Sequence, residues 1–508
     1  MDIRPASKLN IVIVGAGPST AYLLNKLVDI NHVHLNIIIL EARDVAVEGA
    51  PFSDEGAYPA LLSNLQEGEI PHCSAVNWSL APSELLPRGS KQVVPRRQIG
   101  KYFNTVFRRA IETLKANGHQ VELSQNALVN RIEYRKSHSL VFTTDGREFV
   151  ADKLILNVGS TFNKREVRKN VFFVYPTYAY AHFGSRYFRI LGCSLSAIDA
   201  ALAIARNHGS FERRNGKLTY TSSQQFEIEL ISPSATFPQV SYTTINKKAY
   251  INYLRNLSIT IQGTSLAKIR WCFLHLLQRF DHCTYLQVRN MELKSIIAYL
   301  LGRRSQVNPF QKLKIDLYAA AHCKSNQSEW PAMLESALLF AEQFIDHANN
   351  AIAEIDGLDR LIRASMASIP KESAEKLIAL DAAGIIKVAR SNKFSHLSST
   401  FRKGNNDETV IDARGYVNAR EGLDNLSKII GPHATTALKE QGGHSPLTVT
   451  VTENQVLVVA GEKTNIFIGS GYLTPLLLRL PGLDVCKELA EIIYTSIRND
   501  ICIDKEAV

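Results

Sequence analysis

An α/β fold made of two strand–turn–helix units and a large helical insertion is what this 508-residue sequence predicts, on three observations. The apolar run Ile11-Val12-Ile13-Val14 feeds straight into Gly15-Ala16-Gly17-Pro18-Ser19-Thr20-Ala21 and then into a helical pattern. A second apolar run, Tyr187 to Leu191, feeds into Gly192-Cys193-Ser194-Leu195-Ser196-Ala197. Between about 240 and 400 the period changes to that of long helices, with apolar residues recurring on one face.

In the first unit Gly15 allows the tight turn out of the strand. Gly17 lets the backbone approach a pyrophosphate with no Cβ in the way, so that free N–H groups at the helix start face the phosphates. Thr20 stands where a third glycine is usual. A second apolar run, Leu35 to Leu40, ends in Glu41, 21 positions after Thr20, which is the spacing of the acidic residue that accepts ribose hydroxyls. The segments around Glu48–Ser53, Leu62-Ser63-Asn64 and Glu69–Pro71 read as loop that wraps a ligand. Pro95-Arg96-Arg97 opens a helix running to about Ala116, and two cations there call for an anion, for which a pyrophosphate is the obvious candidate. Short strands follow between Glu122 and Ile155, with a turn at Asp145-Gly146, and the last of them leads into Asn157-Val158-Gly159.

In the second unit Ser194 replaces the second glycine, and its small hydroxyl leaves room for a phosphate. Ile198–Arg206 reads as helix, Ser210–Gln225 as an exposed loop, and Phe226–Ile231 as the returning strand. That strand runs into Ser232-Pro233-Ser234, which offers hydroxyls but no arginine for a ribose 2′-phosphate; Arg213 and Arg214 are the loop cations that could fold back. NADPH is therefore expected to have about a tenfold advantage over NADH or less.

In the insertion, Ser265 is expected to cap a helix with Leu266, Ile269, Phe273, Leu276, Leu277 and Phe280 on one face. A second follows Ser328 with Leu334, Leu338, Ala341 and Ile345. His275 and His282 lack the partners of a metal site, and no metal is expected. Late in the chain, Val410 to Gly415 and Asn465 to Gly471 read as strands ending in glycine turns that complete the first domain, before a terminal helix from about Val485 to Ile497. The predicted units are thus two Rossmann-like dinucleotide-binding domains, residues 1–163 with 405–508 and residues 164–240, and a helical insertion over 241–404 that holds a substrate or partner.

Composition narrows the class. The formal charge is +10, but the Lys and Arg residues are scattered without aromatic interleaving, so a solvated basic surface is expected and no nucleic acid partner. No apolar run is long enough to span a membrane, and the first strand begins too early for a cleaved leader, so a cytoplasmic protein is expected. The seven cysteines are scattered without C-x-x-C spacing, which supports neither a redox dithiol nor a zinc site.

The first glycine turn with Leu40-Glu41-Ala42-Arg43, the Asn64–Pro71 loop, Pro95-Arg96-Arg97, the Gly192–Ala197 turn and Ile468-Gly469 together resemble the FAD-NAD(P)-binding flavoproteins, akin to flavin-dependent monooxygenases and amino-acid N-hydroxylases. The resemblance covers about residues 9–235 and 405–500. It implies FAD along Gly15, Gly17, Pro18, Ser19, Thr20, Glu41, Arg43, Arg97 and Gly159, with the flavin ring near Asn64, Gly469 and Leu473. It implies NAD(P)H at Gly192, Ser194 and Ser196. Asn157-Val158-Gly159 and Ala413-Arg414-Gly415 depart from the Ala-Thr-Gly-like turn usual there. The implied function is an FAD-dependent oxidoreductase, an NAD(P)H-dependent monooxygenase of a small metabolite. No Ser-His-Asp, Cys-His or paired-carboxylate set competes, because the cofactor carries the chemistry. A flavin oxidase or dehydrogenase, or a non-catalytic flavin-fold interaction protein, are the alternatives, and the insertion could also join a second copy or another protein.

Overall fold

A computed structural model describes residues 8–506 except 45–46, 50, 55, 60, 67–69, 72, 74–92, 136, 160–170, 176–177, 182, 242–246, 258–262, 323–328, 342–343, 345–357, 392–406, 415–448, 453–454, 460–461 and 470–481. The first unit starts with β1 (Lys8–Val14), α1 (Pro18–Leu27) and β2 (His34–Leu40). It continues through a short antiparallel pair, β3 (Leu62–Gln66) and β4 (Val93–Pro95), then α2 (Arg96–Ala116) and β5 (Gln120–Ser124). An antiparallel sheet of β6 (Val129–Arg135), β7 (His138–Thr143) and β8 (Glu148–Ala151) precedes β9 (Lys153–Leu156). Asn64 therefore sits in a strand, exposed, rather than in loop.

The central sheet has the order β19-β20-β21-β9-β1-β2-β5, with β19 (Val449–Val451), β20 (Val456–Val459) and β21 (Glu462–Ile468) arriving from the far end of the chain. From β21 through β9 and β1 to β2 the strands are parallel and apolar on both sides, because both faces are covered, whereas β20 is antiparallel to both its neighbours. Ile11, Ile13, Ile37 and Ile39 pack under α1, α2 and the C-terminal helix Leu483–Glu506, whereas Val12, Val14, Leu154 and Ile466 pack against Ile132 and Val141 of the three-stranded sheet. The period of two in the sequence is what splits one strand between two cores.

The second unit comprises β10 (Val171–Phe173), α3 (Tyr178–Ala181), β11 (Tyr187–Leu191) and α4 (Leu195–Asn207). Then come β12 (Gly209–Arg214), β13 (Lys217–Ser222), β14 (Glu227–Ser232) and β15 (Gln239–Val240). The stretch expected as loop after α4 is the β12–β13 hairpin; Asn215 and Gly216 take φ of 51° and 77°, which is the turn that an Asn-Gly pair makes between two twisted strands. The second sheet has the order β10-β18-β11-β14-β17, all parallel, and both β17 (Ile386–Arg390) and β18 (Glu408–Asp412) belong to it. Sheet pairing thus draws the boundaries differently from the expected 241–404 and 405–508. The residues from β16 (Ser368–Ile369) through the helix Lys371–Ala382 to β17, and also β18, build the second unit, and only β19–β21 and the last helix return to the first.

Between them lie α5 (Lys247–Asn256), α6 (Ser265–Phe280), α7 (His282–Val288), α8 (Leu293–Arg304), α9 (Pro309–His322), α10 (Trp330–Ala341) and the helix Asp359–Met366. Ile269, Phe273, Leu276, Leu277, Leu334, Leu338 and Ile362 form a core of their own, so this block is a separate packing unit. The exception is α9, whose Phe310 and Leu313 pack into the core of the second unit. The cap of α6 is Thr264, not Ser265: its side chain accepts from the Ala267 amide.

Candidate functional site

Both glycine turns lie at the carboxyl edge of a parallel sheet, where the helix that follows β1 or β11 starts. Gly15 takes φ +98°, and its amide donates to Leu40 O at 2.7 Å. A Cβ there would run into the carbonyl of Asn157, so the close crossing of β1 and the end of β9 demands glycine for the protein's own sake. Gly17 differs. Its φ of −95° suits any residue, and a Cβ would meet only Gly49 Cα at 3.6 Å, an ordinary contact. Nothing among the described residues requires glycine at 17, which leaves the space in front of the α1 N-terminus as the reason for it. That end carries no side-chain cap; Pro18 has no N–H and the Thr20 and Ala21 amides turn back to Gly17 O at 3.0 and 3.1 Å, which leaves the Ser19 amide as the first-turn donor for a ligand.

Thr20 is fully buried; its hydroxyl donates to Gly15 O at 2.6 Å and accepts from Asn157 Nδ2 at 2.9 Å. It fills the place of the third glycine and braces the turn. Asn157 in turn leaves no room for a Cβ on Gly469, which ties the ends of β9 and β21 to α1. The carboxylate of Glu41, also buried, accepts from the Ala16 amide at 3.0 Å and from the Arg43 amide and Nε at 3.1 and 3.0 Å. Glu41 therefore meets the first turn at the Ala16 amide, and Arg43 is held to Glu41. Ser19 sits beside Cys486 of the last helix, whose thiol burial pushes up to about 11. Burial likewise holds Cys73 and Cys193 up to about 11 and Cys272 to about 12, so these thiols stay protonated at neutral pH. Gly159 takes φ +67° in the open just beyond β9. Leu473 lies outside the described residues.

The arginine pair at the start of α2 finds its anions within the chain. Arg96 Nη1 reaches Asp199 Oδ2 at 2.7 Å, Arg96 Nε donates to Leu62 O at 3.2 Å, and the Tyr175 hydroxyl donates to the same Asp199 oxygen at 2.6 Å. Burial pushes the Asp199 carboxyl up, and Arg96 and Tyr175 oppose that rise. Since Asp199 is on α4 and Arg96 on α2, the pair joins the two units. Arg97 donates to Ala57 O at 2.8 Å and pairs with the exposed Asp54 at 3.1 Å. Carboxylates of the chain thus pair with both arginines.

The second turn repeats the first. Gly192 takes φ +130°, its amide donates to Ile231 O at 2.8 Å, and a Cβ would meet Ala413 O at 2.7 Å. Ser194 has φ −94° and ψ −168°, against −95° and −167° at Gly17. Its side chain is exposed and makes no capping bond, and Ser196 lies in the first turn of α4. Arg213 and Arg214 do not approach this edge: they lie on the hairpin after the far end of α4, where Arg213 pairs with Glu375 at 2.5 Å and Arg214 with Glu212 at 2.8 Å. Arg390, which the sequence did not single out, ends β17 opposite Ser232. Among the described residues no group of three His, Cys, Asp or Glu is arranged to hold a metal, and no helix is long and apolar enough to cross a membrane.

Residues 12–161 match the model of a family described as FAD-NAD(P)-binding. The match covers the N-terminal part of the first unit, from β1 to just past β9. The chain is 25% identical over 442 residues to an uncharacterized protein of Escherichia coli (strain K12), YdhS, covering 80% of this chain and 83% of that one. Its fold is similar to that of the ornithine N-hydroxylase of Kutzneria sp. 744 in a structure with reduced FAD, NADP+ and L-ornithine. The TM-score is 0.51 at 12% identity, over 97% of this chain and 99% of that one. It is similar also to L-lysine 6-monooxygenase from Pseudomonas syringae, with a TM-score of 0.50 at 12% identity over 96% and 99%. At that identity the likeness is one of fold.

Proposed function

We propose that the protein is an FAD-dependent oxidoreductase that takes electrons from NAD(P)H and oxygenates a small metabolite. The observation that carries this reading is the open space at Gly17, at an uncapped helix start, in a domain that matches an FAD-NAD(P)-binding family. The residues fit an adenosine diphosphate group there: the Ser19 amide at the start of α1 would hold the pyrophosphate, and Glu41, fixed by Ala16 and Arg43, keeps lone pairs for ribose hydroxyls. Thr20 and Asn157 hold the turn rigid, so little order is lost on binding. Gly192, Ser194 and Ser196 would present the second helix start to the nicotinamide dinucleotide in the same way. FAD, when bound, supplies two-electron redox chemistry and the activation of oxygen. The protein contributes orientation and exclusion of water, and the helical block with its own core is the part that would select the substrate. Asn64, Gly469 and Leu473 are assigned to the surroundings of the flavin ring by resemblance, and Gly159 to FAD elsewhere along its length.

The test is anaerobic mixing of purified, flavin-loaded protein with NADPH or NADH, followed by oxygen and a panel of amines and ketones with mass-spectrometric detection. Bleaching of the flavin bands and a product heavier by one oxygen atom are expected. Bleaching followed by peroxide release with no product from any substrate would make it an oxidase, and a colourless protein that takes up no FAD would remove the reading altogether.

A further inference from the structure

We infer that Arg390 is the residue that recognises a ribose 2′-phosphate, and hence that the second unit is built for NADPH over NADH; the inference rests on the reading of that unit as the nicotinamide-dinucleotide site. In a dinucleotide fold the group at the end of the strand that returns after the glycine-turn helix meets the adenosine ribose: an acid there suits the free diol, a nearby arginine the 2′-phosphate. The first unit has the acid, Glu41, directly after β2. The second has Ser232, the last residue of β14, with Pro233 and Ser234 after it. A serine can hydrogen-bond a phosphate but cannot balance its charge.

The balance comes from the next strand. Because β17 runs parallel to β14 with Arg390 in register with Ser232, both strands deliver their last residues to the edge where Gly192 turns into α4. Arg390 Nη2 donates to Ser234 O at 3.2 Å and to Ser305 O, beyond α8, at 3.1 Å. These two bonds fix the guanidinium against the Ser232–Thr236 loop. Its Nε and Nη1 hydrogens have no partner among the described residues, and no carboxylate there lies within ion-pair distance of it. An exposed arginine whose position is set by two carbonyls, with the rest of its fork free, is prepared for a dianion. The hydroxyls of Ser234 and Thr236, 3.0 Å apart on the same loop, would flank it. Arg213 and Arg214 pair instead with Glu375 and Glu212.

The experiment uses the full-length flavoprotein and two probes that differ only in the 2′-phosphate, adenosine 2′,5′-bisphosphate and 5′-AMP, titrated by calorimetry without any turnover. The wild type is expected to bind the bisphosphate about tenfold or more tightly than 5′-AMP. Arg390→Gln should bring that ratio to about one, Arg390→Lys should restore part of it, and Arg213→Gln should leave it as in the wild type. The same ranking is expected for Kd of NADP+ against NAD+. A ratio that survives in Arg390→Gln, whether or not Arg213→Gln lowers it, overturns the inference and leaves the dinucleotide reading standing. If the wild type binds neither probe nor either dinucleotide, the reading of the second unit fails and the inference with it.

Discussion

The two glycine turns are nearly the same object. Gly17 and Ser194 agree within about one degree in both backbone angles, Gly15 and Gly192 both cross under a neighbouring carbonyl, and Thr20 and Ala197 are both fully buried at the third small-residue position. The residues seven positions after the first glycine do different work: Tyr22 donates to Pro71 O at 2.8 Å within the first unit, whereas Asp199 of the second unit meets Arg96 of the first at 2.7 Å. The turns differ at the rim, where Glu41 ends one returning strand, and Ser232 with Arg390 beside it ends the other. The backbone makes the place for a dinucleotide, and the sign of the charge at the strand end chooses which one.

The largest effect should come from breaking what joins the two units. Arg96→Met leaves the buried Asp199 unpaired and should destabilise the protein by about 3–5 kcal/mol. Asp199→Leu in the same chain should return most of it, because two apolar side chains of similar size replace two desolvated charges. Thermal denaturation of the two variants checks this, and a double variant as unstable as the single one would show that the ion pair is not what the site requires.

A second pair of substitutions separates a glycine needed by the chain from one needed by its ligand. Gly17→Val should weaken FAD binding about a hundredfold or more while circular dichroism and melting temperature stay near the wild type, since a Cβ there meets only Gly49 at 3.6 Å. Gly15→Ala forces φ +98° on a side chain that also strikes Asn157, so it should lose folded protein along with flavin. A Gly17→Val protein that keeps full flavin would remove the first turn from the cofactor site.

Glu41→Gln tests the rim. It keeps shape but takes away the charge that accepts from Ala16 and Arg43, and should cost FAD affinity about 1.5–3 kcal/mol, read by flavin titration of the apoprotein. Ser194→Gly should matter least. Its side chain makes no capping bond and its backbone already has the conformation of Gly17, so a change below about threefold in NAD(P)H affinity is expected, an effect smaller than one hydrogen bond. A tenfold loss would mean that the hydroxyl itself touches the dinucleotide.

The sequence by itself determined what is written locally. A β-branched run, two glycines and a small residue at fixed spacing fold as β1, the turn and α1 whatever surrounds them, and Glu41 follows because the helix and return have a set length. The stripes of α6 and α10 were legible for the same reason from Ile269 to Leu277 and from Leu334 to Ala341; Phe280, expected on the apolar face, is exposed, and Ile345 lies outside the described residues. Near misses were local too: Thr264 and Ser265 are both competent caps, and Asn215-Gly216 was available as a hairpin turn inside a stretch taken for loop. Strand order was not legible, because parallel strands joined through long crossovers carry no signal of their neighbours. Hence β18, expected to complete the first domain, lies between β10 and β11, and β17, expected within the helical insertion, lies beside β14. Only that order could give Arg96 its carboxylate on α4 and bring Arg390 to Ser234 across 156 residues of chain. An ion pair or a phosphate site depends on separations of about 3 Å, which residues distant in sequence acquire only when the sheets are assembled.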